Sequence, residues 1–348
     1  MADASGAALE RGQFAARLPA LAAWMEAAGL IASGSDLAVE RFFEAGQSNP
    51  TYLLRSGNRR FVLRKQPYGE LLPRAHNVLR EHAIMEALHG AGLPVPRPLL
   101  AGRDRDVIGT DFVVMDYVPG AVHSDPALPG LSPAARGDIY GALADGLARL
   151  HGIDPAVLAS AGIKARGDFV GRQVGSWQAA YVSSVTEPDR RIKEVASWLM
   201  AHRPDPDILR IAHGDYRLEN IILDGSHLNA ILDWELCTIG DPRADVAYCC
   251  LWYHMPREVL RGLAGLPLHD LGIPSEQRFL ALYADRSGLD VTPTHPYFLS
   301  FAFYRLAAIL QGVYRRALQG NAASPEALTR GEAAQFCLSE AARWAGRS

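Results

Sequence analysis

The spacing of hydrophobic positions changes partway along the chain, and the change divides it in two. Phe14, Leu18, Leu21 and Met25 recur at intervals of three and four, which predicts a helix over 14–28. Short β-branched and aromatic runs follow, "LAVERFFEAG", "TYLLRS" and "RRFVLRKQ", separated by the turn signals "GQSNP" and "SGN". That texture predicts three antiparallel strands. "RAHNVLREHAIMEALHGAG" has helical spacing and ends in glycine, and "VPRPLLAG" and "DFVVMDYVPG" read as two more strands. Residues 37–120 are thus expected to form a five-stranded sheet with one inserted helix. After Gly120 the period is mostly helical, with helices expected over 133–150, 168–185, 189–201, 244–253, 275–287, 295–319 and 325–345. The one strong β signal in this half covers 220–233. The expected class is α+β in two lobes. An N-lobe over 1–116 and a larger, mainly helical C-lobe over 117–348 meet near "MDYVPG".

Composition narrows the function classes. A chain of 348 residues, 49% hydrophobic, can bury a large core. A net charge of -3 with scattered basic residues gives no footprint for nucleic acid. No apolar run is long enough to span a membrane. The start, "MADASGAALERGQFAARL", lacks a basic stretch followed by an apolar core. A cytoplasmic protein without nucleic-acid or membrane partners is expected; the sequence does not speak to oligomeric state. Cys237, Cys249, Cys250 and Cys337 show no C-x-x-C spacing, so neither a disulfide framework nor a zinc site is expected from them.

The candidate chemistry begins at "HGDYRLEN", residues 213–220, which sets dense polarity between the apolar runs "ILRIA" and "IILDG". "NIILDGSHLNAILD" then reads as a hairpin turning through Asp224-Gly225-Ser226-His227. With the turn centred between Ser226 and His227, Asn220 is expected opposite Asp233. An amide oxygen and a carboxylate at the open end of one hairpin, with Asp215 on the loop leading in, suit a hard cation such as Mg²⁺. The spacing H-G-D-x-x-x-x-N matches the kinase catalytic-loop pattern, with Gly214 in place of arginine, and "ILDWE" stands where D-F-G would be.

At this point the chain resembles the aminoglycoside phosphotransferase and choline kinase-like group of small-molecule kinases, which share the two-lobed protein-kinase-like fold. More narrowly, it is similar to the kinase-like domains fused to acyl-CoA dehydrogenases in some eukaryotic proteins. "GQSNPTYLL", "VLRKQPYGELLPRAHNVLRE", "HGDYRLEN", "ILDWELCTIGDPRADVAY" and "LAAILQGVYRR" carry the narrower likeness, over roughly residues 40–340.

The resemblance implies ATP and Mg²⁺ as cofactors and roles for particular residues. Asp215 matches the catalytic base, Asn220 and Asp233 the metal ligands, and His213 the histidine that braces the loop. Arg64 stands at the strand lysine that holds nucleotide phosphates, with Lys65 as competitor; strand alternation allows only one of them to face the nucleotide. Glu81 falls on the apolar stripe of its helix with Val78, Met85 and Leu88, so it needs a partner, and in the family that partner is the strand cation. Gly46, Gln47, Ser48 and Asn49 replace a glycine-rich phosphate cover with a single glycine. Backbone groups of Asp116 and Val118 match the adenine-reading hinge. Asp241 is read as a helix cap before Pro242, and Asp245 as a carboxylate bonding the catalytic-loop backbone, in preference to a second metal site.

The expected reaction is direct phosphoryl transfer from ATP to a hydroxyl of a small molecule. Arg217, Glu235 and Arg305 are candidate substrate contacts. Aminoglycosides are polycations, whereas the helical half carries Arg217, Arg243, Arg257, Arg261, Arg305, Arg315 and Arg316. An anionic substrate is favoured, and the dehydrogenase-linked relatives point to a hydroxyacyl-CoA. A nucleotide-binding pseudokinase or interaction module, and a Mg²⁺-dependent phosphohydrolase, remain as other classes.

Overall fold

Two compact units build the chain: Met1–Pro119 together with Asp233–Glu235, and Gly120–Leu232 together with Leu236–Ser348. The computed structural model describes residues 2–43, 49–68, 77–185, 187–205, 208–319 and 325–346. The segment 233–235, which the sequence places within the second lobe, groups by its contacts with the first unit.

The first unit contains α1 (Ala2–Ala27), β1 (Ala38–Phe43), β2 (Thr51–Ser56), β3 (Arg59–Lys65), α2 (Val78–Gly90), β4 (Pro98–Gly102), α3 (Arg105–Ile108) and β5 (Phe112–Asp116). The strands form one antiparallel sheet in the order β1-β2-β3-β5-β4, the expected five-stranded sheet. Pro98 lacks an amide hydrogen and sits on an edge strand, where a missing donor is tolerated. One face of the sheet closes against α1: Phe14, Leu21 and Met25 pack with Tyr52, Leu54, Phe61, Leu63, Phe112 and Val114. These apolar positions alternate along β2 and β3, so the residues between them, Val62 and Arg64 on β3, point to the other face. α1 starts earlier than the periodicity indicated, and α3 was not expected.

The second unit holds α4 (Pro133–Gly152), α5 (Phe169–Ser184), α6 (Arg191–Ala201), β6 (Arg210–Ala212), β7 (Ile221–Asp224), β8 (His227–Ile231), β9 (Thr238–Gly240) and α7 (Pro242–His254). Further on come α8 (Arg257–Leu260), α9 (Leu268–Leu271), α10 (Glu276–Ser287), α11 (His295–Leu318) and α12 (Arg330–Trp344). α11 is buried along most of its length and packs against α12, α5 and α7. Helix starts follow local chemistry: Ser132, Ser275 and Asp241 cap α4, α10 and α7 with side-chain oxygens, and Pro133 and Pro242 take first-turn positions.

Two small pairings in this unit position the loop chemistry. β6 pairs antiparallel with β9, Arg210 against Gly240 and Ala212 against Thr238, so the chain leaving β6 at His213 lies beside the chain entering β9. β7 and β8 form the expected hairpin with a different register. Asp224 pairs His227, so Gly225 (φ 59°) and Ser226 make the turn, and a bulge falls between Ile222 and Leu223. Asn220 therefore faces Leu232, whose amide donates to its carbonyl at 2.8 Å, and not Asp233. The turn closes earlier than expected because glycine accepts the left-handed backbone there. Among the described residues no helix is long and apolar enough to cross a membrane.

Candidate active site

In the first unit the strand cation meets the helix carboxylate. Arg64 on β3 extends to Glu81 on α2, Nη1 to Oε2 at 3.1 Å, and Nη2 lies 3.5 Å from Oδ1 of Asp233. Asn49 donates from Nδ2 to the other oxygen of Glu81 at 3.1 Å. Lys65 points to the opposite face, fully buried, with Nζ on Oε1 of Glu10 at 2.7 Å and over the Tyr68 ring at 3.5 Å. Strand alternation thus separates the two cations, and it is Arg64 that shares the face with Glu81. The partner of Lys65, Glu10 on α1, was not singled out from sequence; the only signal was an unpaired lysine on an apolar strand face.

Charge around Arg64 is unbalanced. Glu81, Asp233 and Glu235 all act on this one guanidinium. Burial opposes the arginine's charge, yet the three carboxylates outweigh it and hold its pKa above the ordinary value. Glu81 is pushed up to about 7, by burial first and then by Asp233 and Glu235, against the pull of Arg64 and Asn49. Asp233 adopts φ 63°, a backbone conformation that costs about 1–3 kcal/mol for a residue with a side chain. Its Oδ1 is buried and, apart from the Arg64 guanidinium at 3.5 Å, has no hydrogen-bond partner among the described residues. Glu235 is exposed, and its carbonyl accepts from Nη1 of Arg80 at 3.0 Å. Asp116, at the end of β5, donates its amide to the Arg97 carbonyl, and its carboxylate accepts from Arg97 Nε at 2.8 Å. Val118 is half-buried. Gly46, Gln47 and Ser48 lie outside the described residues.

In the second unit the loop 213–220 is held from below. Asp245, on the first turn of α7 and fully buried, accepts from the amides of His213 (2.6 Å) and Gly214 (2.9 Å). His151 of α4 places Nε2 at 3.4 Å from the same carboxylate and its Nδ1 on the Tyr283 hydroxyl at 2.8 Å. Burial alone would raise the Asp245 pKa, but His151, His213 and the Gly214 amide together bring it below the ordinary value. His213 accepts the Asp215 amide at Nδ1 (3.1 Å) and donates from Nε2 to the Leu232 carbonyl (2.8 Å), which fixes its tautomer. Gly214 is at φ 86°, and a Cβ there would sit 2.9 Å from Leu236 atoms, so the position requires glycine. Tyr216 anchors the loop through its hydroxyl on the Leu143 carbonyl at 3.0 Å.

The same loop presents Asp215. Asn220 donates from Nδ2 to both its carbonyl (2.7 Å) and its Oδ2 (2.8 Å). Arg217 lies 3.4 Å from Oδ1 and pairs with Glu219 at 2.5 Å. Tyr248 of α7 is buried beside this carboxylate, and its pKa is raised, first by burial and then by the Asp215 charge. Arg305 of α11 is buried between the rings of Trp177 (5.4 Å) and Tyr248 (4.9 Å), and its Nε has no hydrogen-bond partner among the described residues. Among the described residues no carboxylate pairs with it. Arg243 is instead spent on Asp241 at 2.6 Å, the residue that caps α7, and Arg257 on Asp125 at 2.7 Å. A pocket lined by His123, Tyr140, Arg217, Glu219, Trp252 and Tyr253 opens next to this loop. Phe303 and Tyr304 are core residues. His151, Tyr248 and His123 were not anticipated, because each lies on a helix or loop remote in sequence from the motif.

An antiparallel sheet whose strand arginine holds a helix glutamate, followed by a helical unit presenting an Asp-first loop, defines a kinase-like phosphotransferase. Residues 39–281 match the model of the phosphotransferase enzyme family, and the chain belongs to that family. The chain is 42% identical over 294 residues to mouse acyl-CoA dehydrogenase family member 10, covering 83% of this chain and 28% of that protein. The chain thus spans under a third of that relative's length. A crystal structure of a putative aminoglycoside phosphotransferase from Ralstonia eutropha superposes with a TM-score of 0.82 at 34% identity, covering 94% of this chain and 98% of that one. The fold is shared, at a TM-score of 0.62 and 15% identity over 92% of this chain and 97% of the other, with the aminoglycoside phosphotransferase APH(4)-Ia, solved with ADP and hygromycin B.

Proposed function

We propose that this chain is an ATP-dependent small-molecule kinase with Asp215 as the catalytic base and an anionic, hydroxylated acceptor, a hydroxyacyl-CoA being the favoured class. The observation that carries the reading is the setting of Asp215. Its loop is fixed from behind by Asp245 and His213, Asn220 orients the carboxylate, and the side chain stays partly open to solvent. A rigid carboxylate of this kind suits proton acceptance from a hydroxyl.

In the reaction the acceptor oxygen forms a bond to the γ-phosphorus of ATP as the bond to the bridging oxygen breaks. ADP leaves, and the hydroxyl proton passes to Asp215. Arg64, oriented by Glu81, is assigned to the nucleotide phosphates. Asn49, with Gly46, Gln47 and Ser48, is assigned to covering them, and the backbone at Asp116 and Val118 to the adenine. Asn220 and Asp233 are the proposed Mg²⁺ ligands. The donor set fits: both offer hard oxygens, Asp233 Oδ1 is buried and among the described residues meets only the Arg64 guanidinium at 3.5 Å, and the carboxylates around Arg64 exceed its charge. Mg²⁺ bound there would neutralise charge on the transferring phosphoryl group. Nucleotide use also has the support of the ADP-bound APH(4)-Ia complex, which shares the fold.

The substrate class rests on two supports. The curated relative carries the name of an acyl-CoA dehydrogenase, and Arg305, in the unit that holds Asp215, is a buried cation without a carboxylate partner among the described residues. Arg217 and Glu235 are the further candidate contacts. Hydroxyacyl-CoAs, aminoglycosides, choline-like amines and sugars are to be compared by ATP consumption and product phosphorylation. Turnover confined to hydroxyacyl-CoAs supports the reading; turnover confined to aminoglycosides overturns the substrate class. Undiminished transfer by Asp215→Ala would overturn the mechanism. A pseudokinase would show no transfer above that variant's background.

A further inference from the structure

Away from the catalytic loop, three helices of the second unit bring soft and borderline donors to one point. Cys250 lies near the C-terminal end of α7, Glu276 opens α10, and His295 opens α11. The Cys250 sulfur, a Glu276 oxygen and a His295 ring nitrogen all lie within 4.8 Å of one another. His254, one turn after Cys250 on α7, reaches the same carboxylate. Nε2 of His295 and Nε2 of His254 stand 2.8 Å and 2.9 Å from the single oxygen Oε1 of Glu276. Cys250 is fully buried, and the side chains of Glu276 and His295 are 13% and 8% exposed.

We propose that Cys250, Glu276 and His295 form a three-ligand site for Zn²⁺, with His254 donating its N–H to the liganding carboxylate. The donor set decides the metal class. A thiolate and an imidazole disfavour Mg²⁺ and Ca²⁺, and cysteine sulfur, histidine nitrogen and glutamate oxygen are each ligand types that tetrahedral zinc accepts. Zinc–ligand lengths of about 2.0–2.3 Å imply tetrahedral edges of about 3.3 Å between oxygen and nitrogen and about 3.6 Å to sulfur. The observed His295–Glu276 contact of 2.8 Å needs to open by about 0.5 Å, and the Cys250 sulfur, within 4.8 Å of both, to close by up to about 1.2 Å, to reach that geometry. Side-chain rotation supplies such a shift without moving a helix. The fourth position is left to water. His254 takes the outer role usual around liganding carboxylates, and the Phe303 and Trp344 rings hold it in place.

The site would staple the end of α7 to the starts of α10 and α11. The first turn of α7 carries Asp245, which holds the catalytic-loop amides, so the staple would stiffen the helix that carries this support. Cysteine spacing alone conceals the site, because its ligands come from three helices far apart in sequence.

The test uses the full chain without nucleotide. Titration with Co²⁺ as a zinc analogue should give a sulfur-to-metal charge-transfer band, saturating at about one ion per chain. The Mg²⁺ ligands, which offer only oxygen, cannot produce that band. Cys250→Ser should lose the band, and His295→Ala should weaken binding at least tenfold. Added Zn²⁺ should raise the melting temperature of the wild-type chain and not of Cys250→Ser. A wild-type chain that shows no charge-transfer band and no zinc-dependent rise in melting temperature would overturn the proposal. The four side chains would then be a hydrogen-bonded acid–imidazole cluster only. Since both decisive measurements use the wild-type protein, a variant that fails to fold leaves the outcome intact.

Discussion

Replacing Asp245 with alanine removes the acceptor on which the catalytic loop rests. Its carboxylate takes two backbone amides, His213 at 2.6 Å and Gly214 at 2.9 Å, and the His213 residue is fully buried. Charge-assisted bonds of this kind contribute about 1.5–3 kcal/mol each. The pair therefore amounts to about 3–6 kcal/mol. Relief of the carboxylate's own burial, the largest single influence on its pKa, returns part of that and leaves a net loss of about 2–4 kcal/mol. For a unit of this size the melting temperature should fall by about 5–15 °C. The pH dependence has a definite sign. The folded pKa of Asp245 lies below the ordinary aspartate value, so its contribution is present above the unfolded pKa and disappears as pH falls through the folded one. The gap between wild type and Asp245→Ala should be constant above about pH 5 and narrow below about pH 4. Thermal and urea melts across pH 3–8 measure both quantities. A variant melting within about 2 °C of wild type at neutral pH would refute the assigned role.

Other substitutions separate positioning from chemistry. Asp215→Ala should lower the transfer rate by about 10²–10⁴-fold while leaving nucleotide affinity near wild type, measured by coupled ATP turnover and nucleotide titration. Glu81→Gln keeps the hydrogen bond from Asn49 but removes the ion pair with Arg64; the KM for ATP should rise by about tenfold, and an unchanged KM would count against Arg64 as the phosphate contact. Gly214→Ala forces a side chain against Leu236 at φ 86° and should cost about 1–3 kcal/mol in urea unfolding. Arg305→Met keeps the packing between Trp177 and Tyr248 but removes the charge, and should raise the KM for an anionic acceptor without changing that for ATP.

The local sequence determined most of the secondary structure and the membership of the loop. Alternation along "TYLLRS" and "RRFVLRK" and helical spacing after Gly120 are short-range signals, and the five-stranded sheet and the main helices follow them. The assignment of Arg64 and Lys65 to opposite faces was also legible, because a strand's side-chain period is fixed by its backbone. Several features needed the folded chain. The hairpin register depends on a bulge at Ile222 and a turn at Gly225, and a slip of one residue leaves the alternation of apolar runs intelligible in either frame. Which arginines are committed also depends on packing. Arg243 and Arg257 meet carboxylates, while Arg305 lies between two rings, and nothing in their neighbours along the chain tells them apart. The support of the catalytic loop by His151 and Asp245, and the meeting of Cys250, Glu276 and His295, join residues from different helices. Sequence fixes which side chains each helix can present; only the packing of helices against one another decides which of them touch.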